Sequence, residues 1–390
     1  MNTLRVSIGL LIVLFSLTTV TAKEDVTGQV RQLLQAETLQ RADTALESVP
    51  VTVTATRAER SAGGIHDFYS EGDYWWANPQ DPDGPFIRRD GETNPDNFTA
   101  HRHAMIRFSQ LVGDLTSAWI LTGDKKYTDA AMRHIRAWFV DQETMMNPNL
   151  LYAQAIKGIA TGRGIGIIDT IHLIEVVQSL RLMEARGIIE EKELKTIRLW
   201  FSDYLTWMST HRYGINEMEA RNNHGTCWAM QAAAFALFTQ NEEMIRFCRE
   251  RYRTVLLPNQ MAADGSFPLE LERTKPYGYS LFNLDAMTTL CHLLTTPEEN
   301  LWDYTTTDGR NIEKGIAWLF PFVKDKGAWQ RPPDIMFWEE WPVAHPFLLF
   351  GSMHHYRKDY FQTWKKLEHF PTNEEVIRNL PIRHPLLWLN

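Results

Sequence analysis

Two short segments of the sequence carry side chains that could do chemistry. The first is RNNHGTCW, residues 221–228, in which Asn222, Asn223 and His224 directly precede the apolar run WAMQAAAFALF. Asparagine is a mediocre helix former but a good N-cap, so helix capping is one explanation for the amides. The other explanation is that two carboxamides and an imidazole lie at the mouth of a buried helix, where they can donate hydrogen bonds to a ligand.

The second segment is DGSFPLELERTKPYGYSLFNLD, residues 264–285, which combines a tight Asp-Gly turn, a cluster of charges and two tyrosines. Arg273 and Tyr279 lie six positions apart, with Pro276 and Gly278 between them. We therefore expect both on an irregular segment at the entrance of a helix that begins at Tyr279. Arg273 could instead form an ordinary surface salt bridge with a neighbouring glutamate.

Helices must position both segments, because apolar residues recur at helical spacing through most of the chain. Such stretches cover residues 23–60, 101–123, 124–141, 166–187, 190–211, 223–239, 241–260 and 279–294. There is no alternation of strands and helices and no repeat of fixed period. The sequence predicts an all-α protein of paired antiparallel helices, arranged as a solenoid or closed into an α/α toroid. Long loops before several helices favour the toroid, whose inner helix ends would form a cleft.

Residues 62–100 interrupt the helical pattern. They are rich in Gly, Pro, Asp and Asn and contain Trp75 and Trp76. Long ordered loops in compact domains usually serve a function. Stacking of the two tryptophans on a sugar ring is one expectation, and packing in the core is its rival.

Composition and the N-terminus indicate an exported globular protein. Residues 1–22 contain Arg5, an apolar stretch and a final small-residue Val-Thr-Ala site, which predicts a signal peptide and leaves 23–390 as a single catalytic domain. No later apolar run is long enough for a membrane helix, so we expect no membrane anchor. A net charge of −8 without a basic stripe argues against nucleic acid as a partner. The three cysteines lack metal-ligand spacing.

Taken together, the motifs resemble the alginate-lyase-type polysaccharide lyases. The similarity to that family begins with NNH at the start of an inner helix, followed by DGSFPLELER and GYSLFNL. Two N-terminal stretches are also similar to it, YWWANPQDPDGPFIRRDGETNPDNF and LTGDKKYTDAAMRHIRAWFVDQETMMNPNLLYAQA. The resemblance covers about residues 70–350. The nearest pattern is polysaccharide lyase family 38. The mannuronate lyases of family 5 are more distant, since their arginine and tyrosine lie one residue further apart.

The resemblance implies β-elimination in an anionic β-1,4-linked uronate polymer, either alginate or glucuronan, without a cofactor or metal. Asn223, His224 and Arg273 would neutralise the C6 carboxylate and stabilise the charge that develops when the C5 proton leaves. Tyr279 would take that proton and return it to the departing O4, with the neighbouring arginine favouring the phenolate. Mannuronate and glucuronate differ only at C2, so these four residues would not distinguish them.

Further residues are expected to line the cleft and bind the substrate: Trp75, Trp76, His101, His103, Tyr152, Gln154, Arg163, Asn222, Tyr277, Arg331 and His345. Tyr277 is also a rival of Tyr279 for the catalytic role. His101 and His103 form an H-x-H pair, but no acidic or cysteine partner lies at ligand spacing, so a metal site is not expected.

Two other classes of protein fit parts of the pattern. A glycoside hydrolase on an α/α toroid would need two carboxylates across the scissile bond, and Glu270, Glu272, Glu339 and Glu340 are available. A non-catalytic polysaccharide-binding protein would need only the aromatic side chains.

Overall fold

The computed structural model describes residues 26–389, so the predicted signal peptide lies outside the described residues. The α-helices are residues 26–46 (α1), Ala100–Thr122 (α2), Lys125–Phe139 (α3), Leu173–Ala185 (α4), Glu191–Thr210 (α5), Arg212–Met218 (α6), Asn223–Thr239 (α7), Glu242–Arg251 (α8), Leu257–Gln260 (α9), Pro268–Leu271 (α10), Pro276–Leu294 (α11), Ile312–Lys324 (α12), Pro346–His354 (α13), Lys358–Trp364 (α14) and Glu374–Asn379 (α15). The strands are Tyr69–Glu71 (β1), Trp75–Trp76 (β2), Ile87–Arg88 (β3) and Tyr152–Ala155 (β4). With 59% helix and 4% strand, the all-α prediction is confirmed.

The helices form two layers. Helices α2, α4, α7, α11 and α13 each pack against the next in that order and make the inner layer. Helices α3, α5, α8, α12 and α14 lie outside them, and each packs against at least one inner helix. The four strands form two small two-stranded sheets, β1 with β4 in parallel and β2 with β3 in antiparallel. The arrangement is the predicted α/α toroid. No helix within residues 26–389 has the length and apolar character needed to cross a membrane.

Helix α7 lies at the centre because it is apolar on every side. Its alanine-rich sequence lets α4, α5 and α11 approach closely, while Trp228 and Phe235 are fully buried between them. At its first turn, a Cβ on Gly225 would lie 2.2 Å from the Ala220 carbonyl oxygen. This close approach holds the start of α7 against the preceding turn, and the active-site amide and imidazole lie there.

The end of the chain fills the interior of the toroid. A 3₁₀ turn, Pro385–Trp388, packs on α2 and α4. The Trp388 ring lies 6.2 Å from His292 of α11 and 6.3 Å from Phe350 of α13, measured between ring centroids. The last residues of the chain therefore connect inner helices from the two halves of the sequence.

Helix α11 begins at Pro276 and not at Tyr279, so the expectation of an irregular segment is wrong for Tyr279. Proline is tolerated in a first helical turn because the N–H that it lacks would have no partner there. The Asp334 carboxylate accepts hydrogen bonds from the N–H groups of Tyr277 (2.9 Å) and Gly278 (2.8 Å). This cap comes from a distant loop. Arg273 does lie on a turn, between α10 and α11.

Candidate active site

A cavity of about 490 Å³ opens where the N-terminal ends of α7 and α11 face residues 72–98, which we call the 72–98 loop. Asn223 and His224 line it from the first turn of α7, and Arg273 and Tyr279 from the second segment. All four residues predicted to act in catalysis are thus brought to one cavity. The N-terminus of α7 also directs the positive end of its helix dipole towards this space.

The amide of Asn223 is fixed by a buried carboxylate. Glu270 accepts a hydrogen bond from the backbone N–H of Asn223 (2.7 Å) and another from its Nδ2 (2.6 Å). Because a carboxylate only accepts, the amide nitrogen must face Glu270, and its second N–H remains for a ligand. Burial raises the pKa of Glu270, and the hydrogen bonds from Asn223 oppose that rise.

The imidazole of His224 is paired with Glu217, a residue of α6. The two are 2.6 Å apart, from Nδ1 to Oε1. Burial alone would lower the pKa of His224, but the charge and hydrogen bond of Glu217 outweigh burial, and the pKa is raised. Since Nδ1–H donates to Glu217, Nε2 is the nitrogen left for a ligand, and it can donate only in the imidazolium form.

The guanidinium of Arg273 is oriented by the 72–98 loop. It donates to both carboxylate oxygens of Asp90, at 3.3 Å from Nε and 3.0 Å from Nη2. The same Nη2 lies 3.2 Å from the hydroxyl oxygen of Tyr279, and the guanidinium carbon lies 4.4 Å from the centre of the Tyr279 ring. Arg273 is therefore not the exposed ion pair considered above, because it joins the loop to the tyrosine.

Tyr279 is paired with a second tyrosine. Its hydroxyl lies 2.6 Å from that of Tyr74 in the 72–98 loop. Burial raises the pKa of Tyr279 well above 10, Tyr74 adds to the rise, and the nearby charges of Lys275 and Arg273 only reduce it. Arg273 favours the phenolate, as expected from the sequence, but the desolvation of this phenol exceeds the attraction of both cations, so the pKa of Tyr279 stays above its ordinary value.

The same cavity is lined by three further residues expected to bind substrate, Trp75, Gln154 and Arg163, and Asn222 lies beside the α7 terminus. Asn222 occupies the N-cap position of α7 but its side chain makes no capping hydrogen bond. The amide side chain therefore remains exposed to the cavity and does not serve as the cap.

Three of the expected cleft residues are enclosed in the protein, which corrects their assignment. Tyr277 is fully buried and donates its hydroxyl to the Phe322 carbonyl oxygen at 3.1 Å. His345 is also fully buried, and its Nδ1 lies 2.7 Å from Asp285. His101 accepts from the Tyr69 N–H at 3.0 Å and donates to the carbonyl oxygen of Thr56 at 2.8 Å. Hydrogen bonds inside the fold account for these three polar groups.

The remaining four expected residues lie outside the lining of this cavity. His103 lines a neighbouring cavity of about 800 Å³, on the face of α2. Trp76 donates its indole N–H to the Glu92 carbonyl oxygen at 3.0 Å. Tyr152 packs beside Gly63, and Arg331 is exposed.

Sequence reasoning missed the partners of the four central residues. Each of the four contacts a residue that the motifs did not indicate in this role: Glu217, Glu270, Asp90 and Tyr74. The cavity is also lined by two residues of α15, Arg378 and Asn379. The RRDGE stretch of the loop and the tyrosine beside Trp75 were visible in the sequence. Nothing in the spacing pairs them with Arg273 and Tyr279, which lie 183 and 205 positions further along the chain.

An α/α toroid whose inner helix ends open into a cavity lined by amide, imidazole, guanidinium and phenol groups defines an enzyme of the polysaccharide lyase class. The family model described as alginate lyase matches residues 52–329. The chain therefore belongs to the alginate lyase family.

Solved structures agree with this family. The chain is similar to an alginate lyase from Bacteroides ovatus, with 30% identity, a TM-score of 0.79 and coverage of 94% of this chain and 97% of that one. It also resembles alginate lyase A1-III from Sphingomonas species A1, at 13% identity and a TM-score of 0.55 over 90% of this chain and 94% of that one. A variant of A1-III complexed with a tetrasaccharide has 14% identity to this chain and a TM-score of 0.58, with coverage of 93% of this chain and 94% of that one. At these sequence identities, the similarity to A1-III shows a shared fold and nothing further. A search of curated proteins gives no match.

Proposed function

We propose that the protein cleaves a β-1,4-linked uronate polymer, polymannuronate or glucuronan, by β-elimination and leaves a 4,5-unsaturated uronate end. The observation that carries this proposal is the convergence of Asn223, His224, Arg273 and Tyr279 on one cavity. The solved relatives are alginate lyases by name, which supports alginate as a substrate.

The first task is to neutralise the C6 carboxylate of the sugar. The proton on C5 is only weakly acidic while that carboxylate is ionised, and its removal places further negative charge on the acid group. The second N–H of the Asn223 amide, the Nε2–H of the His224 imidazolium and the Arg273 guanidinium supply donors and positive charge. Such preorganised groups act most strongly in a cavity from which the substrate has expelled water.

The second task is proton transfer, which we assign to Tyr279. As phenolate, its oxygen takes the C5 proton, the C4–O4 bond breaks, and the same proton passes to O4 of the leaving chain. Lys275 and Arg273 lie beside the ring, and their positive charges favour the phenolate against the effect of burial. One residue can serve both steps when H5 and O4 lie on the same face, as in β-mannuronate and β-glucuronate.

The hydrolase alternative lacks a free pair of carboxylates in the cavity lining within residues 26–389, because Asp73 pairs there with Arg102 and Arg378, and Glu217 with His224. The carboxylates that the sequence offers for a hydrolase do not take this place. Of these four carboxylates, Glu270 is engaged by Asn223, and Glu272, Glu339 and Glu340 are exposed. None of them lines the cavity in the described part of the chain. An inverting or retaining hydrolase needs two carboxylates facing each other across the sugar.

We further propose that the protein is exported, to the periplasm or the medium, as one catalytic domain of residues 23–390. The signal-peptide pattern in residues 1–22 supports export. Assignment to family 38 stays a prediction from the spacing of Arg273 and Tyr279.

The test is incubation with polymannuronate, polyguluronate and glucuronan, while the ultraviolet absorbance of the conjugated C4–C5 double bond is followed. Turnover is expected on polymannuronate or glucuronan. Tyr279→Phe should abolish it while the protein still folds, since only a hydroxyl and its hydrogen bonds to Tyr74 and Arg273 are lost. Glu272→Gln serves as the matched control in the same segment. Reducing ends without that absorbance would overturn the proposal, as would wild-type turnover by Tyr279→Phe.

A further inference from the structure

One cation in the wall of the active-site cavity has no carboxylate partner. Arg88, Arg163, Arg273 and Arg378 all line this cavity. Arg88, Arg273 and Arg378 each form an ion pair with an aspartate, at 2.6, 3.0 and 2.5 Å. Within residues 26–389, no carboxylate lies at ion-pair distance from Arg163.

Neutral oxygen atoms hold the Arg163 guanidinium in place. Its Nε donates to the Gln154 carbonyl oxygen at 2.7 Å, and its Nη2 lies 3.3 Å from Gln154 Oε1. The Gln154 amide nitrogen lies 3.2 Å from Asp73 and 3.4 Å from Asp169, which fixes its Oε1 towards the arginine. Gln154 has a φ of 54°, a left-handed conformation that is unusual for a residue other than glycine and is often retained at functional sites.

The surroundings of Arg163 disfavour an unpaired charge. Burial and the charge of Arg88 lower the pKa of Arg163 to about 10, although the more distant charges of Asp73, Asp169 and Glu217 oppose that shift. The loop nevertheless packs tightly on it, because a Cβ on Gly72 would lie 2.6 Å from Nη2, and the Trp75 ring centre lies 5.8 Å from the guanidinium carbon. A partly buried guanidinium without a counter-ion is costly, and an anionic ligand in the cavity would remove that cost.

Arg163 and His224 lie on connected parts of the same wall. The Gly164 backbone next to Arg163 packs on Asn216 of α6, and the following residue, Glu217, is the partner of His224. His224 and Arg273 are already assigned to the carboxylate of the sugar that loses its proton. The positive charge of Arg163 is therefore available to a second acid group.

We propose that Arg163 binds the carboxylate of the uronate residue next to the one that undergoes elimination. This inference rests on the proposed function and deepens it, since the site would then require acid groups on successive sugars. The substrate class is a run of successive uronates, and a polymer in which acidic and neutral sugars alternate would be a poor substrate.

The experiment compares two substrates on the wild type and on variants of Arg163. One substrate is a defined oligouronate, and the other is the same oligosaccharide with alternate carboxylates reduced to alcohols. For the wild type, the reduction should raise KM about tenfold or more, with a smaller change in kcat, as expected for a lost charged hydrogen bond. Arg163→Met should show the raised KM on both substrates and should no longer distinguish them. Arg163→Lys keeps the charge without the two-pronged geometry and should show an intermediate ratio.

Arg136→Met is the matched control, because Arg136 forms an exposed ion pair with Glu193 away from the cavity and should leave both KM values unchanged. If Arg163→Met and Arg163→Lys showed the same ratio of KM values between the two substrates as the wild type, the role of Arg163 would be overturned. The lyase proposal would remain intact. Absence of unsaturated products from the wild type on every uronate polymer would overturn the lyase proposal itself. Melting temperatures of all variants separate loss of folding from loss of binding.

Discussion

At the scale of single residues, buried carboxylates orient the groups that line the cavity. Glu270 fixes which side of the Asn223 amide faces the cavity, and Glu217 fixes the tautomer and raises the pKa of His224. Both are almost fully buried, at 1% exposure, so each acts through its partner. Their effects should therefore differ from those of residues that touch the sugar.

Glu217→Gln should change the pH profile of the enzyme. The wild-type pKa of His224 is raised chiefly because the carboxylate outweighs burial, so removal of that charge lowers it. If imidazolium and phenolate act together, kcat/KM rises with pH up to the pKa of His224 and then stays level until the higher pKa of Tyr279. In Glu217→Gln the rise of kcat/KM should end at a lower pH. The plateau value of kcat/KM should fall about tenfold for each unit by which the pKa of His224 is lowered.

Glu272→Gln, with an exposed carboxylate in the same region, should keep the wild-type profile. An identical profile for Glu217→Gln would show that the pair does not control the reaction. If the rising part of the kcat/KM profile shifted to lower pH while the plateau kept its height, neutral His224 would be the active form, against the mechanism above. The measurement is kcat/KM across the pH range by product absorbance.

Sequence reasoning could identify the four central residues because their types and local order form motifs. It could not identify Asp90, Tyr74 or Glu217, since only folding brings them to those motifs. The direction of the net pKa shift of Tyr279 could not be predicted either. The cation beside it was visible in the sequence, but the burial that outweighs the cation is a property of the folded cavity.

At the scale of elements, the start of α11 determines where Tyr279 lies. The Asp334 carboxylate caps the N–H groups of Tyr277 and Gly278. Asp334→Ala removes this cap and should lower the free energy of unfolding by about 1 kcal/mol, within the usual range for helix caps. It should also lower kcat, because the first turn that carries Tyr279 loses its fixed geometry. Chemical denaturation and steady-state kinetics measure the two effects.

Asp334→Asn is the informative companion, since the amide retains one acceptor oxygen and should recover part of both losses. Asp264→Ala, in an exposed turn, is a control for the loss of an aspartate. Full kcat in Asp334→Ala, despite reduced stability, would mean that the first turn of α11 keeps its place without the cap.

Most helices followed from their apolar periodicity, and α2 ends at Gly123 as the sequence indicates, with Gly123 in the left-handed conformation at φ 73°. The short strands and the 3₁₀ turn Gly164–Thr170 did not follow from the pattern. Residues 166–187 have continuous apolar spacing, yet the helix begins only at Leu173. Contacts of the preceding turn with α6 and β4 overrode the local preference there.

At the scale of the whole molecule, the C-terminal segment completes both the cavity and the core. Arg378 and Asn379 line the cavity, and Arg378 pairs with Asp73 of the 72–98 loop at 2.5 Å. Asp73 in turn accepts from Arg102 of α2 at 2.7 Å. One buried aspartate thus ties the loop to the first inner helix and to the end of the chain. No motif in the sequence pointed to this segment, because its role depends only on where the toroid brings it.

The C-terminal segment also contacts α2 and α4 through His384, which is buried between two carboxylates. Its Nδ1 lies 2.8 Å from Glu175 of α4, and its Nε2 lies 3.2 Å from Asp114 of α2. Burial would lower the pKa of His384, but the two carboxylates raise it, so both ring nitrogens can donate. Its neighbour in α2 is Gly113, where a Cβ would lie 2.3 Å from the ring. The imidazole therefore fits a space that the sequence of α2 leaves open.

His384→Ala removes one member of this buried ionic group and leaves the fully enclosed Glu175 with only the more distant charge of Arg383, whose Nε lies 3.7 Å away. We expect a loss of about 3–5 kcal/mol in the free energy of unfolding at neutral pH, as is typical when a buried pair is broken. Thermal and denaturant unfolding measure it, with His103→Ala as the control because that side chain is half exposed. Since His384 lies behind α2 and not in the cavity, the folded fraction should keep its KM. An unchanged stability would mean that the C-terminal turn is held by the packing of Trp388 alone.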